Sequence, residues 1–244
     1  MNVPLINIEN VSKRYKNAKE FSLHNVSFAI FKGDKLGVLG PNGAGKTTLI
    51  SILCGIMHQT SGKVTYNSNG SKHSIFGFVP QDFAFYDELT ALQNLEYFGV
   101  LYNLSRKEIK ERSENLLSLL GLSSVANKKV RTYSGGMKRR LNLAIGILHN
   151  PSILFLDEPT VGVDIQSKNA IIQFLNKLNR EGTTVIYTSH HLSEAEEFCS
   201  KIAILDYGKI IAFDEIFALK AAHKADTLTD VILKLTGEGY RDHV

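Results

Sequence analysis

An α/β fold, in which a parallel sheet buried on both faces is interrupted by a long helical segment, is the class this chain predicts. Three observations carry that expectation. KLGVLG (35–40) is a short, nearly all-apolar strand that runs into a glycine-rich loop and then a helix, TTLISILCGI (47–56). That strand–loop–helix order belongs to parallel sheets covered by helices. A second apolar strand, SILFLD (152–157), is followed by alternating helix and strand patterns. Between the two, from about Leu89 to His149, apolar residues recur at three- and four-residue spacing and strand patterns vanish.

The elements follow in order. LINIEN (5–10), SLHNVSFAIF (22–31) and GKVTYN (62–67) carry alternating or β-branched apolar residues bounded by Gly, Asn and Asp, and predict an N-terminal antiparallel β subdomain. SIFGFVPQ (74–81) is a short strand that Pro80 terminates. Three helices are expected next. They are LTALQNLEYFGVLY (89–102), SRKEIKERSENLLSLLGL (105–122) and GGMKRRLNLAIGILH (135–149). Ser105 and Glu108 have the spacing of a capping box, and the third helix must stop at Asn150-Pro151. Alternation resumes with the helix around KNAIIQFLNKLNR, the strand TTVIYTS, the helix LSEAEEF and the hairpin KIAILDYGKIIAF. One more amphipathic helix, TLTDVILKLT, lies in the tail. The expected organisation is a single domain over 1–244, with its core at about 1–82 and 150–220. A helical subdomain occupies about 83–149, and a short C-terminal helical tail about 221–244.

Composition narrows the function classes. With 43% hydrophobic and 21% charged residues, the chain is neither disordered nor collagen-like. Its net charge of +4 is scattered without a basic run, so no nucleic-acid partner is expected. Cys54 and Cys199 are too few for a disulfide framework; in their apolar contexts both read as small buried hydrophobes, which suits a reducing compartment. MNVPLINIEN lacks a basic start followed by an apolar stretch, so no secretory leader is expected. Apolar runs such as ILFL fall far short of the ~20 residues that cross a bilayer, so the chain is not expected to span a membrane by itself.

The strongest chemical signal is GPNGAGKT, which places Gly40, Pro41, Asn42, Gly43, Ala44, Gly45, Lys46 and Thr47 in the phosphate-loop pattern, with Thr48 following. Glycines let successive N–H groups turn inward around phosphate oxygens, and the next helix points its N-terminus at the same anion. Lys46 adds a positive charge over the terminal phosphates; the Thr47 hydroxyl suits Mg²⁺. The second half of such a site is SILFLDEP. Asp157 and Glu158 end a buried apolar strand, a costly place for carboxylates unless charged partners await them. Asp157 fits a second Mg²⁺ anchor, usually through water, and Glu158 a general base that activates the attacking water.

YSGGMKRR, with Ser134, Gly135 and Gly136 at the start of a helix, lies shortly before that acidic strand. It resembles the signature motif, LSGGQ, of ATP-binding-cassette (ABC) proteins, with Met137 in place of the usual glutamine. Gln81 after a short strand resembles the Q-loop glutamine of that family. Asp164, ending VGVD, resembles its D-loop aspartate, and His190, after Ser189, its switch histidine. The resemblance extends over almost the whole chain. It implies a P-loop NTPase (RecA-like) core, with ATP and Mg²⁺ bound. It also implies two ATP molecules sandwiched head to tail between the phosphate loop of one chain and the Ser134 helix tip of another.

Further roles follow from the same resemblance. Tyr15 is the aromatic expected to stack on adenine, although a packed strand edge would read the same way. Gln81 is expected to contact Mg²⁺ or the attacking water, and His190 the γ-phosphate; His191 is expected at an exposed helix start. Phe83, Phe85 and Tyr86 in FAFYDEL are expected either to receive a cytoplasmic helix of a membrane subunit or to pack the helical subdomain. YSGGMKRRLNLA and the tail DVILKLTGEGYRD are similar to the drug, polysaccharide or lipid exporter branch. The expected partners are therefore a second ATP-binding subunit and separate integral-membrane permease subunits. A homodimer is the simpler assembly, with a heterodimer as its alternative. The expected location is the cytoplasm, peripheral on the inner face of the cell membrane. A soluble cassette ATPase serving a non-membrane assembly is the alternative from a different class. An import ATPase and a small-molecule kinase also share parts of the pattern.

Overall fold

A computed structural model describes residues 3–67 and 75–237. Its elements in chain order are β1 (Ile6–Lys13), β2 (Leu23–Ile30), β3 (Lys35–Leu39), α1 (Lys46–Leu53), β4 (Ser61–Tyr66) and β5 (Phe76–Val79). The helical stretch follows as α2 (Ala91–Leu101), α3 (Arg106–Leu119) and α4 (Gly135–Ile147). Then come β6 (Ile153–Asp157), α5 (Ile165–Arg180), β7 (Thr184–Ser189), α6 (Leu192–Phe198), β8 (Lys201–Asp206) and β9 (Lys209–Glu215). The last described helices are α7 (Ile216–Ala222) and α8 (Leu228–Thr236). Contacts divide the chain into two units, Met1–Asn69 with Thr184–Val244, and Gly70–Thr183.

In the first unit β1 pairs antiparallel with both β2 and β4, giving the small sheet expected from the alternating N-terminal segments. Ile6, Ile8, Val11, Leu23, Val26 and Ile30 form its buried face. Burying each side chain of this size stabilises by about 1.5–3 kcal/mol. The four strands of the second sheet within this unit run in the order β7–β3–β8–β9. β3 is parallel to β7 and β8, whereas β8 and β9 form the antiparallel hairpin that a short Tyr207-Gly208 turn allows. Leu39 at the end of β3 lies opposite Ser189 at the end of β7. Parallel sheets bind ligands beyond such carboxyl ends.

In the second unit β5 and β6 are parallel, with Val79 opposite Leu156, so the Pro80–Gln81 segment leaves its strand beside Asp157 and Glu158. All five residues of β6 are buried, as an apolar strand covered on both faces requires. α4 lies close on β5: a Cβ at Gly77 would collide with the Gly146 carbonyl and one at Gly146 with Val79. Ser105 and Glu108 form the expected capping box at the start of α3. A second box, Thr90 with Gln93, starts α2 two residues later than the apolar spacing alone suggested.

Two differences from the sequence reading concern short elements. α7 was not expected, because IFALKAA follows directly on the strand it caps and has no separate start signal beyond Glu215. Cys54 is only partly buried, at the C-terminal end of α1 where the helix meets Gly55, whereas Cys199 is buried and its thiol is pushed up to about 12 by that burial. The tail segment beyond residue 237, part of the exporter resemblance, and Ser74 of the fifth strand segment lie outside the described residues. No helix among the described residues is long and apolar enough to cross a membrane.

Candidate functional site

The phosphate-loop residues lie in the first unit. Gly43 (φ 80°) and Gly45 (φ 108°) are left-handed, a conformation that favours glycine, and Gly45 caps α1 with no side-chain hydrogen bond. A side chain at Gly40 would meet the Leu205 carbonyl, so the loop runs close over the end of β8. Lys46 is buried, and its ammonium donates to the carbonyls of Gly40 (2.8 Å) and Pro41 (3.2 Å), folding across its own loop. Pro41 also accepts from the Ala44 N–H at 3.1 Å. Asn42 and Thr47 are exposed. A glycine-lined turn, a helix N-terminus and a buried ammonium in one loop fit a triphosphate.

Tyr15 and His190 belong to the same unit. Tyr15 is exposed; its hydroxyl lies 3.1 Å from that of Thr48, and the Lys13 ammonium stands 5.5 Å from its ring centre. One ring therefore lies beside the phosphate loop with a face available for stacking. His190 immediately follows β7, as Gly40 follows β3, so the register of these parallel strands places the two at one sheet end. His191 is exposed and caps α6, its N–H donating to the Ser189 hydroxyl at 2.9 Å.

The acidic strand end and the SGGM helix start lie in the second unit. Asp157 and Glu158 are 3% and 7% exposed, as the apolar strand before them suggested. Glu158 has φ 48°, an uncommon backbone conformation for a side chain of this size and one that clusters at functional sites. Ser134 caps α4 in extended conformation, its hydroxyl accepting from the Met137 N–H at 3.3 Å. A Cβ at Gly136 would overlap the Ser167 side chain, so the tip of α4 packs against the first turn of α5. Asp164 caps α5 by accepting from the Ser167 N–H (2.8 Å) and hydroxyl (2.9 Å). Those bonds, the backbone one first, hold its carboxyl below the usual range. Ser134, Gly136, Asp164 and Ser167 thus form one cluster.

Gln81 is exposed, but its backbone is clamped. Arg139 donates to the Gln81 carbonyl at 2.6 Å; Asn142 donates to the Pro80 carbonyl at 3.1 Å and accepts from the Ala84 N–H at 3.2 Å. Asn94, fully buried, holds both the N–H and the carbonyl of Tyr86. These clamps escaped the sequence reading. Arg139 and Asn142 lie three apart on the buried side of α4, but Lys138 and Arg140 beside them have the same local spelling, so the sequence carried no distinct signal. Phe83 (42% exposed) and Tyr86 (49% exposed) do not pack the core, while Phe85 is half-buried and stacks on Phe83. A cationic hollow of about 590 Å³ beside the signature is lined by residues including Lys128, Lys129, Arg131 and Tyr133. Glu88 is held below the usual carboxylate range by its hydrogen bond and charge contact with Lys129, and further by Arg131.

Hard oxygen donors suited to Mg²⁺ are present in the Thr47 hydroxyl and the Asp157 carboxylate. Among the described residues no group of three or more His, Cys, Asp or Glu side chains could hold a metal alone. Mg²⁺ commonly takes one or two protein oxygens together with substrate phosphates.

Comparison with known proteins identifies the family. Residues 23–161 match the ABC transporter family. The chain is 39% identical over 244 residues to the linearmycin resistance ATP-binding protein LnrL of Bacillus subtilis, covering 98% of this chain and 76% of that protein. It is 35% identical to the daunorubicin resistance ATP-binding protein DrrA3 of Streptomyces coeruleorubidus, covering 96% and 75% of the two chains. A solved ATP-binding subunit of an ABC transporter superposes with a TM-score of 0.84 at 25% identity, over 95% of this chain and 99% of that one. A dimeric post-hydrolysis ATP-binding cassette, MJ0796 bound to ADP and phosphate, superposes with a TM-score of 0.77 at 29% identity, over 86% and 98%. With a phosphate loop, an acidic strand end and a serine-capped signature helix on this α/β fold, the chain belongs to the ABC transporter family as an ATP-binding, ATP-hydrolysing subunit.

Proposed function

We propose that the chain is the engine of an exporter whose membrane spans reside on separate permease subunits, and that it works as an ATP-held dimer. The observation that carries this reading is Ser134 capping α4, with Gly135 and Gly136 at its tip: a second anion-type helix N-terminus besides the phosphate loop. One loop has no need of both, whereas two chains arranged head to tail use each once per nucleotide. The resistance proteins among its relatives support the exporter assignment, and the dimeric cassette supports the pairing. A homodimer is the simpler arrangement because this one chain carries every motif. The exposed Phe83 and Tyr86 side chains support the segment after Gln81 as the permease contact. The location that follows is peripheral, on the cytoplasmic face of the membrane.

In this reading Gly40 to Thr48 bind the triphosphate and Tyr15 stacks on the adenine. Lys46 neutralises the β- and γ-phosphates. Residues at about 1–82 and 150–220 form the nucleotide core and about 83–149 the helical subdomain, with the tail at about 221–244. Glu158 orients the attacking water and accepts its proton, while His190 and Gln81 fix the γ-phosphate and the water. Thr47, Asp157 and Gln81 would hold Mg²⁺, Asp157 through water; the ion supplies charge neutralisation on the phosphates. From the partner, Ser134, Gly135 and Gly136 cover the far phosphate face, with Asp164 beside them. Loss of the γ-phosphate then weakens the dimer, and that difference in affinity drives movement.

Glu158→Gln provides the test. It is expected to keep ATP binding, slow turnover roughly 10²-fold or more, and elute as a dimer on a sizing column run with ATP and Mg²⁺. A variant that stays monomeric and hydrolyses at the normal rate would remove the general base from this scheme.

A further inference from the structure

Arg139 is only 6% exposed, yet it forms none of the ion pairs within 4.0 Å found among the described residues. One terminal nitrogen donates to the Gln81 carbonyl at 2.6 Å and the other to the Val161 carbonyl at 3.2 Å. The guanidinium carbon stands 4.9 Å from the ring centre of Phe83, whose ring stacks on Phe85 at 5.2 Å and 21°. The third nitrogen, Nε, is buried without a hydrogen-bond partner among the described residues. Burial draws the guanidinium below its ordinary pKa, while the charges of Asp82 and Glu158 act in the opposite direction.

A buried cation retained for stability would be expected to satisfy every donor and to pair with a carboxylate. This one instead uses its two outer arms on main-chain carbonyls of two separate segments. The first segment carries Gln81 and, two residues on, Phe83. The second lies between Glu158 and Asp164. A planar, rigid fork fixes the spacing between its two acceptors, which a single ammonium on a flexible stem cannot do.

We propose that Arg139 is a positioning residue: its guanidinium sets the register of the Gln81 segment against the Glu158–Asp164 loop, and its stacking on Phe83 makes that register respond to the Phe83–Phe85 pair. The inference rests on the roles assigned above to Gln81 and Glu158. It supplies a mechanical link, within one unit, between half-exposed aromatic side chains and the strand end that bears the base. Small displacements suffice, because a misplacement of about 1 Å can cost on the order of 10²-fold in rate.

The test measures ATPase kinetics of the full chain per ATP-binding-competent molecule, with competence titrated by a fluorescent ATP analogue. Arg139→Met is expected to lower kcat on the order of 10- to 100-fold while KM for ATP stays within about twofold. Arg139→Lys, which keeps the charge but not the fork, should fail to restore kcat, and Phe83→Leu should lower kcat by a few-fold at constant KM. Full kcat per competent molecule in Arg139→Met overturns the inference, because a merely structural role reduces the competent fraction instead. Wild-type kcat in Arg139→Lys overturns it as well. Should Arg139→Met not fold, Arg139→Lys and Phe83→Leu decide the matter between them. Glu158→Gln, measured alongside, separates the two levels: normal turnover there defeats the base assignment, whereas loss there with normal turnover in Arg139→Met defeats this inference alone.

Discussion

Two helix starts in this chain face the same chemical problem and solve it differently. α1 begins from a left-handed glycine, Gly45, with no side-chain cap, whereas α4 begins from Ser134 in extended conformation with its hydroxyl on the Met137 N–H. The first four N–H groups of any helix have no partner inside it. At α1 no side chain caps these donors, and the cation needed to hold an anion, Lys46, is buried in the loop itself. At α4 one donor is already satisfied, and no acidic or basic residue of the first turn is buried there. Its tip is instead held rigidly by the close packing of Gly136 on Ser167. That contrast accords with the proposed pairing of two chains, in which the loop of one would be covered by the helix tip of the other.

The largest effect expected from the contrast is at Lys46. Lys46→Ala removes the only motif cation at α1 and should lower ATP turnover by roughly 10²-fold or more, with nucleotide affinity falling alongside. An alanine variant that bound and hydrolysed ATP normally would place the phosphate grip elsewhere. Next is Gly136→Ala, whose new Cβ would overlap Ser167 and approach Asp164. It is expected to abolish ATP-dependent dimerisation and lower turnover on the order of 10-fold or more, while nucleotide binding by the unmated chain persists. Ser167→Gly in the same chain should recover part of the loss, since it deletes the colliding atoms; a purely additive double variant would show that the two residues do not communicate. The smallest effect lies far from both tips. Ser105→Ala removes the cap of α3 and should cost about 1 kcal/mol, read as a lower Tm with turnover per folded molecule unchanged.

How much was legible beforehand differs between the same two places. GPNGAGKT spells its own geometry, because the glycines, the lysine and the helix that use them are contiguous. The expected strands on either side formed, and the paired strand ends followed from the α/β alternation. SGGM was legible only as a helix start. Its neighbour Ser167 is more than thirty residues away, and nothing local indicates that Gly136 must be small because another helix passes there. The Arg139 fork was harder still. A basic residue in MKRRLN reads as a solvated helix face, and its neighbour Arg140, which reaches the Leu120 carbonyl at 2.8 Å, has the same local spelling. Only the packing of α4 distinguishes them.

The amino-acid order alone determined the α/β class, the GPNGAGKT loop, the carboxylates at the end of β6 and the Ser105–Glu108 cap, because each is encoded within a few consecutive residues. Their physics is local: backbone freedom at glycine, hydrogen bonds at helix ends, the alternation of apolar residues. Tertiary structure decided which carbonyls Arg139 bridges, why Gly136 admits no side chain, and which aromatic residues after Gln81 stay exposed. Those outcomes depend on contacts between segments far apart in the chain, where close packing, rather than neighbouring sequence, sets the distances.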